Sequence, residues 1–238
     1  MAPAKILVVD DDPAIRNLVF RFLGRYGYEL EQAPDGETGM NKFKQFNPDL
    51  VILDVNLPDA LGYNLCQEMQ KIVDVLVLML TSRADMEDKI IGFEKGADDY
   101  LTKPFNVEEL KFRVEALLKR QRTAGVRNSQ LIVHGNLSID PERREVTLQG
   151  VEINLTALEF DLLQVLASNP EKVLRRAELI SAVWDYEHQG DRRVVDVHIG
   201  QIRKKLEADG VHRFIKTVRG VGYKFEPPAL EAESEPLA

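Results

Sequence analysis

Cysteine, tryptophan and long apolar stretches are what this chain has least of. Of its 238 residues one is a cysteine, Cys66, and one is a tryptophan, Trp184. A lone thiol excludes an intramolecular disulfide and fits a reducing compartment. Cys66 falls in Gly62-Tyr63-Asn64-Leu65-Cys66, an ordinary helix start, so it is read as packing rather than chemistry. No apolar stretch is long enough to span a bilayer. The opening MAPAKILVVDDD leads into a strand without the apolar core of a signal peptide. These absences predict a cytoplasmic protein with no membrane partner. Internal repeats are lacking as well.

What is present points to two folded parts. The length exceeds one typical domain, and 44% hydrophobic with 29% charged residues supplies an ample core. The net charge of −8 is unevenly spread. Residues 1–120 hold 15 basic and 21 acidic side chains, whereas 192–224 hold nine basic and three acidic. An acidic front and a locally basic back predict nucleic-acid contact confined to the C-terminal half.

In the first 120 residues apolar runs at 5–9, 28–32, 50–53, 75–80 and 99–102 alternate with helical periodicity at 13–24, 36–46, 62–72, 86–95 and 107–120. Five strands alternating with five helices predict an α/β fold with a doubly wound parallel sheet. Asp12-Pro13 reads as a helix cap followed by proline in the first turn. The segment after the last of these helices is polar and contains a glycine, a short linker at 122–130. Four short strands then form an antiparallel meander over 131–153. Thr156-Ala-Leu-Glu159 is a capping-box pattern, further helices are expected at 176–184 and 193–207, and 215–225 reads as a hairpin around Gly220 and Gly222. The Pro/Glu/Ala-rich tail at 227–238 has the composition of a disordered acidic segment.

Three of the apolar runs in the first half stop on charge and one on hydroxyls. Ile6-Leu7-Val8-Val9 ends on Asp10-Asp11-Asp12, Leu50-Val51-Ile52-Leu53 on Asp54, Val75 to Leu80 on Thr81-Ser82, and Tyr100-Leu101-Thr102 on Lys103-Pro104. As parallel strands they bring carboxylates, a hydroxyl and an ammonium to one sheet edge, where such sheets bind ligands. Singly, each has an ordinary explanation: Asp12 and Thr81 as caps, Asp54 as a turn opener, Lys103 as a strand-end lysine. Their convergence fits a divalent cation and a phosphoryl group. Magnesium prefers oxygen ligands and keeps waters, so Asp11 and Asp54 suit direct ligation and Asp10 ligation through water. A carboxylate can also serve as a nucleophile toward phosphorus.

With the pieces ILVVDDD, DLVILDVNLPD, LMLTSRA, GADDYLTKPF, RRVVDVHIGQIRKKLE and IKTVRGVGYKF, residues 4–226 resemble the OmpR/PhoB (winged-helix) class of two-component response regulators. The resemblance implies a flavodoxin-like receiver at 1–121 and a winged helix-turn-helix DNA-binding domain at 131–226. It implies phosphorylation of Asp54 by a sensor histidine kinase and Mg²⁺ held by Asp10, Asp11, Asp54 and the backbone carbonyl of Asn56. Thr81 and Lys103 would hold the phosphoryl group, Tyr100 would be the aromatic that moves inward, and Lys103-Pro104 would be cis. Phosphorylation would drive homodimerisation through segments 86–95, 99–102 and 107–120. The matching residues there are Lys89, Ile90, Phe93, Asp98, Asp99, Glu109, Phe112, Arg113 and Arg120.

On the helix from Arg193, Val195, Ile199, Ile202 and Leu206 form one stripe that must be core. The opposite face presents Arg193, Val197, Gly200, Gln201 and Lys204, and such a helix fits a major groove. Arg203, with Arg192 and Lys205, lies where DNA phosphates would be reached. Arg219 at the hairpin tip resembles the wing arginine that enters a minor groove. Gln201 favours adenine. A mid-helix glycine at 200 costs about 1 kcal/mol relative to alanine, which points to close approach of DNA or a tolerated defect. The sequence therefore predicts a phosphorylation-activated transcriptional regulator that binds paired promoter half-sites, with segment 185–192 as a contact for RNA polymerase. The competing enzyme reading is a haloacid-dehalogenase-like phosphatase built on Asp10-x-Asp12, Thr81, Lys95 and Asp98-Asp99. It has no use for Asp54.

Overall fold

The computed structural model describes residues 3–73, 75–82, 96–123, 130–184, 193–207 and 213–227. The chain divides into two compact units, Met1–Arg122 and Thr123–Ala238.

In the first unit β1 (Lys5–Val9), β2 (Glu29–Ala33), β3 (Leu50–Asp54), β4 (Leu76–Ser82) and β5 (Asp99–Lys103) form one sheet in the order β2-β1-β3-β4-β5. Every neighbouring pair is parallel. Helices α1 (Pro13–Gly24), α2 (Gly36–Phe46), α3 (Gly62–Ile72) and α4 (Val107–Thr123) are described. The helix expected at 86–95 lies outside the described residues. β3 is buried at all five positions and β4 at its first six, which is why these strands read as unbroken apolar runs rather than alternating ones. Asp12 caps α1 by accepting from the Ala14 amide at 2.8 Å. α4 runs on to Thr123, into the segment expected as linker, and the acidic tail from residue 228 is likewise not described.

The second unit opens with an antiparallel sheet of β6 (Ile132–His134), β7 (Leu137–Asp140), β8 (Glu145–Leu148) and β9 (Val151–Glu152). Then come α5 (Ala157–Ala167), α6 (Arg176–Trp184) and α7 (Arg193–Leu206). Thr156 and Glu159 form the full capping box at the start of α5. A last sheet joins β10 (Val173–Arg175), β11 (Ile215–Val218) and β12 (Gly222–Phe225) in the order β10-β12-β11. The sequence gives no sign of β10, because only Leu174 of its three residues points inward. One buried side chain makes no alternation. Among the described residues no helix is long and apolar enough to cross a membrane.

Candidate functional site

Sheet order explains why the carboxylates meet. From β1 and β3 the chain winds outward in opposite directions, so the carboxyl ends of these two strands flank a crevice. Asp10 and Asp11 follow β1, and Asp54 is the last residue of β3. Their ligand oxygens all lie within 4.8 Å of one another. Asp10 is fully buried, Asp54 is 6% exposed, and Asp11 is exposed, which leaves the cluster one open side.

Lys103 reaches this cluster from the end of β5. Its Nζ lies 2.7 Å from Asp54 Oδ2, to which it donates, and 2.6 Å from Asp10 Oδ2 in an ion pair. Burial, followed by the nearby Asp54 charge, keeps the Asp10 carboxyl above its ordinary range even though Lys103 pulls it down. Burial alone would lower the Lys103 ammonium, but the two carboxylates together outweigh it and raise the lysine. The Asn56 amide donates to Asp54 Oδ1 over 3.3 Å. Thr81 is buried with its hydroxyl donating to the Ser82 carbonyl at 3.3 Å, Tyr100 is buried, and Lys103-Pro104 is cis.

Two residues that sequence reasoning missed hold the pocket's backbone. Arg16 Nη1 donates to the carbonyls of Asp10 at 2.6 Å and Asp11 at 2.9 Å. Asp59, in the loop after Asp54, accepts from the Gly36 and Glu37 amides at 2.8 and 2.9 Å and so moors that loop to the start of α2. Those two donors hold the exposed Asp59 carboxyl below its usual value. At the start of α3, a Cβ on Gly62 would lie 2.1 Å from the Asp54 carbonyl oxygen, so only glycine lets the helix begin so close to the pocket.

The charges expected on a pairing face are placed differently. Asp98 and Asp99 are buried rather than on an open surface. Asp98 accepts from the Val77 amide at 2.8 Å. Asp99 takes Arg113 Nη1 through both oxygens, at 2.9 and 2.8 Å, and Arg113 also donates to Glu109. The acidic pair stands where a strand enters the sheet, and it satisfies backbone and guanidinium groups there. Phe112 is 58% exposed, with the Lys111 ammonium 5.5 Å from its ring. Lys89, Ile90, Phe93 and the side chain of Arg120 lie outside the described residues, as does Lys95.

In the second unit α7 buries Val195, Ile199, Ile202 and Leu206, as its periodicity requires. Val197, Gly200 and Gln201 are half-buried and Lys204 is exposed on the other side. Arg193 opens the helix; its side chain is not described. The Arg203 guanidinium donates to the Ile215 carbonyl and, at 2.9 Å, to Thr217 Oγ1, bracing the helix against β11. Lys205 is tied 2.6 Å from buried Glu159 on α5. Arg219 is exposed in the β11–β12 turn beside Gly220, whose φ is 73°. A further brace was not foreseen. Arg176 and Tyr223 both donate to Asp196 Oδ1 at 2.6 Å, tying the first turn of α7 to α6 and β12. Burial and then Asp196 push the Tyr223 hydroxyl up to about 12. Segment 185–192 lies outside the described residues.

Residues 6–115 match the response regulator receiver domain, and residues 150–225 match the family described as transcriptional regulatory protein, C terminal. The chain is 42% identical over 238 residues to the DNA-binding dual master transcriptional regulator RpaA of Synechocystis sp., covering 98% of this chain and 99% of that protein. This chain is an OmpR/PhoB-type response regulator. To PhoP of Bacillus subtilis, an alkaline phosphatase synthesis transcriptional regulatory protein, it is 42% identical over 235 residues, covering 95% and 98% of the two chains. The solved structure of a cysteine-to-serine mutant of RitR superposes with a TM-score of 0.77 at 28% identity, covering 94% of this chain and 99% of that one. As a response regulator the protein is a transcriptional regulator with a receiver and a DNA-binding domain. The acidic pocket lies in the receiver, and α7 with its hairpin lies in the DNA-binding domain.

Proposed function

We propose that Asp54 accepts a phosphoryl group from a sensor histidine kinase, and that this modification pairs two receivers and strengthens binding to promoter DNA. The observation that carries the reading is one ammonium, Lys103, held against both Asp54 and Asp10 with Asp11 alongside. Three hard-oxygen donors within 4.8 Å suit Mg²⁺. Asp11 and Asp54 would hold it directly, Asp10 through water, and Asn56 through its carbonyl. Bound there, the cation supplies charge neutralisation and orientation for the phosphoryl oxygens.

An Asp54 oxygen attacks phosphorus: a P–O bond forms as the P–N bond to the kinase histidine breaks. Lys103 is positioned to follow the transferred charge, and the Thr81 hydroxyl must leave the Ser82 carbonyl to reach a phosphoryl oxygen. Tyr100, buried on the neighbouring strand β5, would be the aromatic that follows this movement. The product is the modified protein itself, so this is signalling rather than conventional enzymatic turnover. Pairing would use the α4 and β5 face, with Glu109 and Phe112 exposed on α4 and buried Arg113 bracing it through Asp99 and Glu109. The exposed side of α7 would enter the major groove and Arg219 the minor groove. RNA polymerase is the expected further partner and the cytoplasm the expected compartment.

The test exposes wild type and Asp54→Asn to acetyl phosphate with Mg²⁺ and reads intact mass and solution size. Wild type should gain one phosphoryl group and shift toward dimer, and Asp54→Asn should do neither. Equal labelling of the variant would transfer the role to another residue.

A further inference from the structure

Among the described residues, the glycines at helix starts and within α2 have internal explanations, and Gly200 does not. A Cβ on Gly39 would meet Val9 at 3.0 Å, one on Gly36 would meet Asp59 at 3.2 Å, and the Gly62 collision is described above. Gly24 would meet only a Leu30 methyl at an ordinary contact distance of 3.6 Å, but it is the last residue of α1 and interrupts no helix. At Gly200 an added Cβ meets nothing within 4 Å, and φ is not left-handed. The residue sits inside a 14-residue helix, where glycine weakens the structure relative to alanine. Nothing within the described residues asks for the missing side chain.

Its position indicates what does. Val197, Gly200, Gln201 and Lys204 follow the i, i+3, i+4, i+7 spacing of one helix face. They lie opposite the buried stripe of Val195, Ile199, Ile202 and Leu206. Gly200 is therefore a notch in the outward stripe, with half-buried Val197 on one side and Gln201 on the other. Two cations that would favour guanine or phosphate on this helix are committed internally, Arg203 to Ile215 and Thr217 and Lys205 to Glu159. In the major groove an A·T pair offers adenine N6 and N7, which suit a glutamine amide, and the thymine 5-methyl, which suits a small apolar recess.

We propose that the notch at Gly200, walled by Val197, receives the thymine methyl of an A·T step whose adenine is read by Gln201. The proposal rests on the DNA-binding reading and adds which base pair is chosen and why the helix carries glycine.

The experiment uses the phosphorylated full-length chain. Its site is first selected from a random duplex pool. Each thymine of the selected half-site is then replaced singly by deoxyuridine, which removes only the methyl, and affinity is measured for wild type and Gly200→Ala. At one thymine in or beside the pair that Gln201→Ala relaxes, the replacement should weaken wild type about fourfold, the value of one buried methyl. Gly200→Ala should melt at a higher temperature, showing that it folds. It should bind the thymine site at least about fivefold more weakly, as overfilled recesses do, and should lose its discrimination between thymine and uracil.

The idea is overturned if no thymine replacement weakens wild type. It is equally overturned if Gly200→Ala binds the selected site as tightly as wild type. Failure of any duplex to emerge from the pool would instead remove the DNA-binding reading beneath it, and with it this proposal.

Discussion

Asp10 is a buried carboxylate in an electrostatically costly place. It is wholly buried, faces Asp54, and depends on Lys103, which it shares. Its raised pKa means that ionised Asp10 costs stability wherever the pH lies above that folded-state value. As pH falls through the folded value the carboxyl takes up a proton, and the penalty is gone once pH reaches the unfolded value of 3.8. Asp10→Asn should therefore stabilise the metal-free receiver at pH 7, and the advantage should shrink steadily toward acid. Urea unfolding of both proteins in chelator across that range gives the answer; a constant difference would assign the gain to packing. Mg²⁺ should narrow the gap at pH 7, because a bound cation stabilises the wild-type fold.

Among the secondary-structure elements, α5 shows how much a short sequence pattern can establish. Thr156 and Glu159 cap each other's backbone, as their spacing predicts. Glu159 then does something the spacing does not announce, holding Lys205 of α7 across a gap of 46 residues. Thr156→Ala should cost about 1 kcal/mol. Calorimetry should show it as a fall of about 4–8 °C in the melting of the DNA-binding domain, with the receiver transition unmoved.

The same contrast separates what was legible from what was not. Asp10, Asp11, Asp54, Thr81 and Lys103 could be read because each terminates an apolar run, and sheet order does the rest. Arg16 and Asp59 could not, because they bond to backbone groups, which leave no mark on side-chain pattern. The buried bond between Asp99 and Arg113 could not be read either, because a carboxylate pair gives no local hint of a guanidinium 14 residues further on. The bonds of Arg203 to β11 were illegible for the same reason, its acceptors lying 12 and 14 residues further on. β10 was too short to show a period.

The whole molecule joins a receiver to a DNA-binding domain of different charge, acidic in residues 1–120 and basic over 192–224. That division predicts how phosphorylation is felt. On the proposed reading the modification would add negative charge to the receiver and not to the DNA-binding domain, so affinity for an isolated half-site should stay nearly constant. Affinity for two correctly spaced half-sites should rise, because receivers paired as proposed would hold the second winged helix at high effective concentration. Fluorescence anisotropy on one-site and two-site duplexes separates the cases, and an equal gain on both would contradict pairing as the device. On either duplex log affinity should fall linearly with log salt, with a slope of about 0.9 per phosphate contact.

The single indole of the chain belongs to Trp184, which is wholly buried on α6. Excited at wavelengths that tyrosine does not absorb, the protein thus emits from its DNA-reading part alone, while the receiver remains optically silent. Whatever loosens, tightens or wets the interior of the winged helix can be followed in the intact, unlabelled molecule, even as chemistry proceeds in the other half.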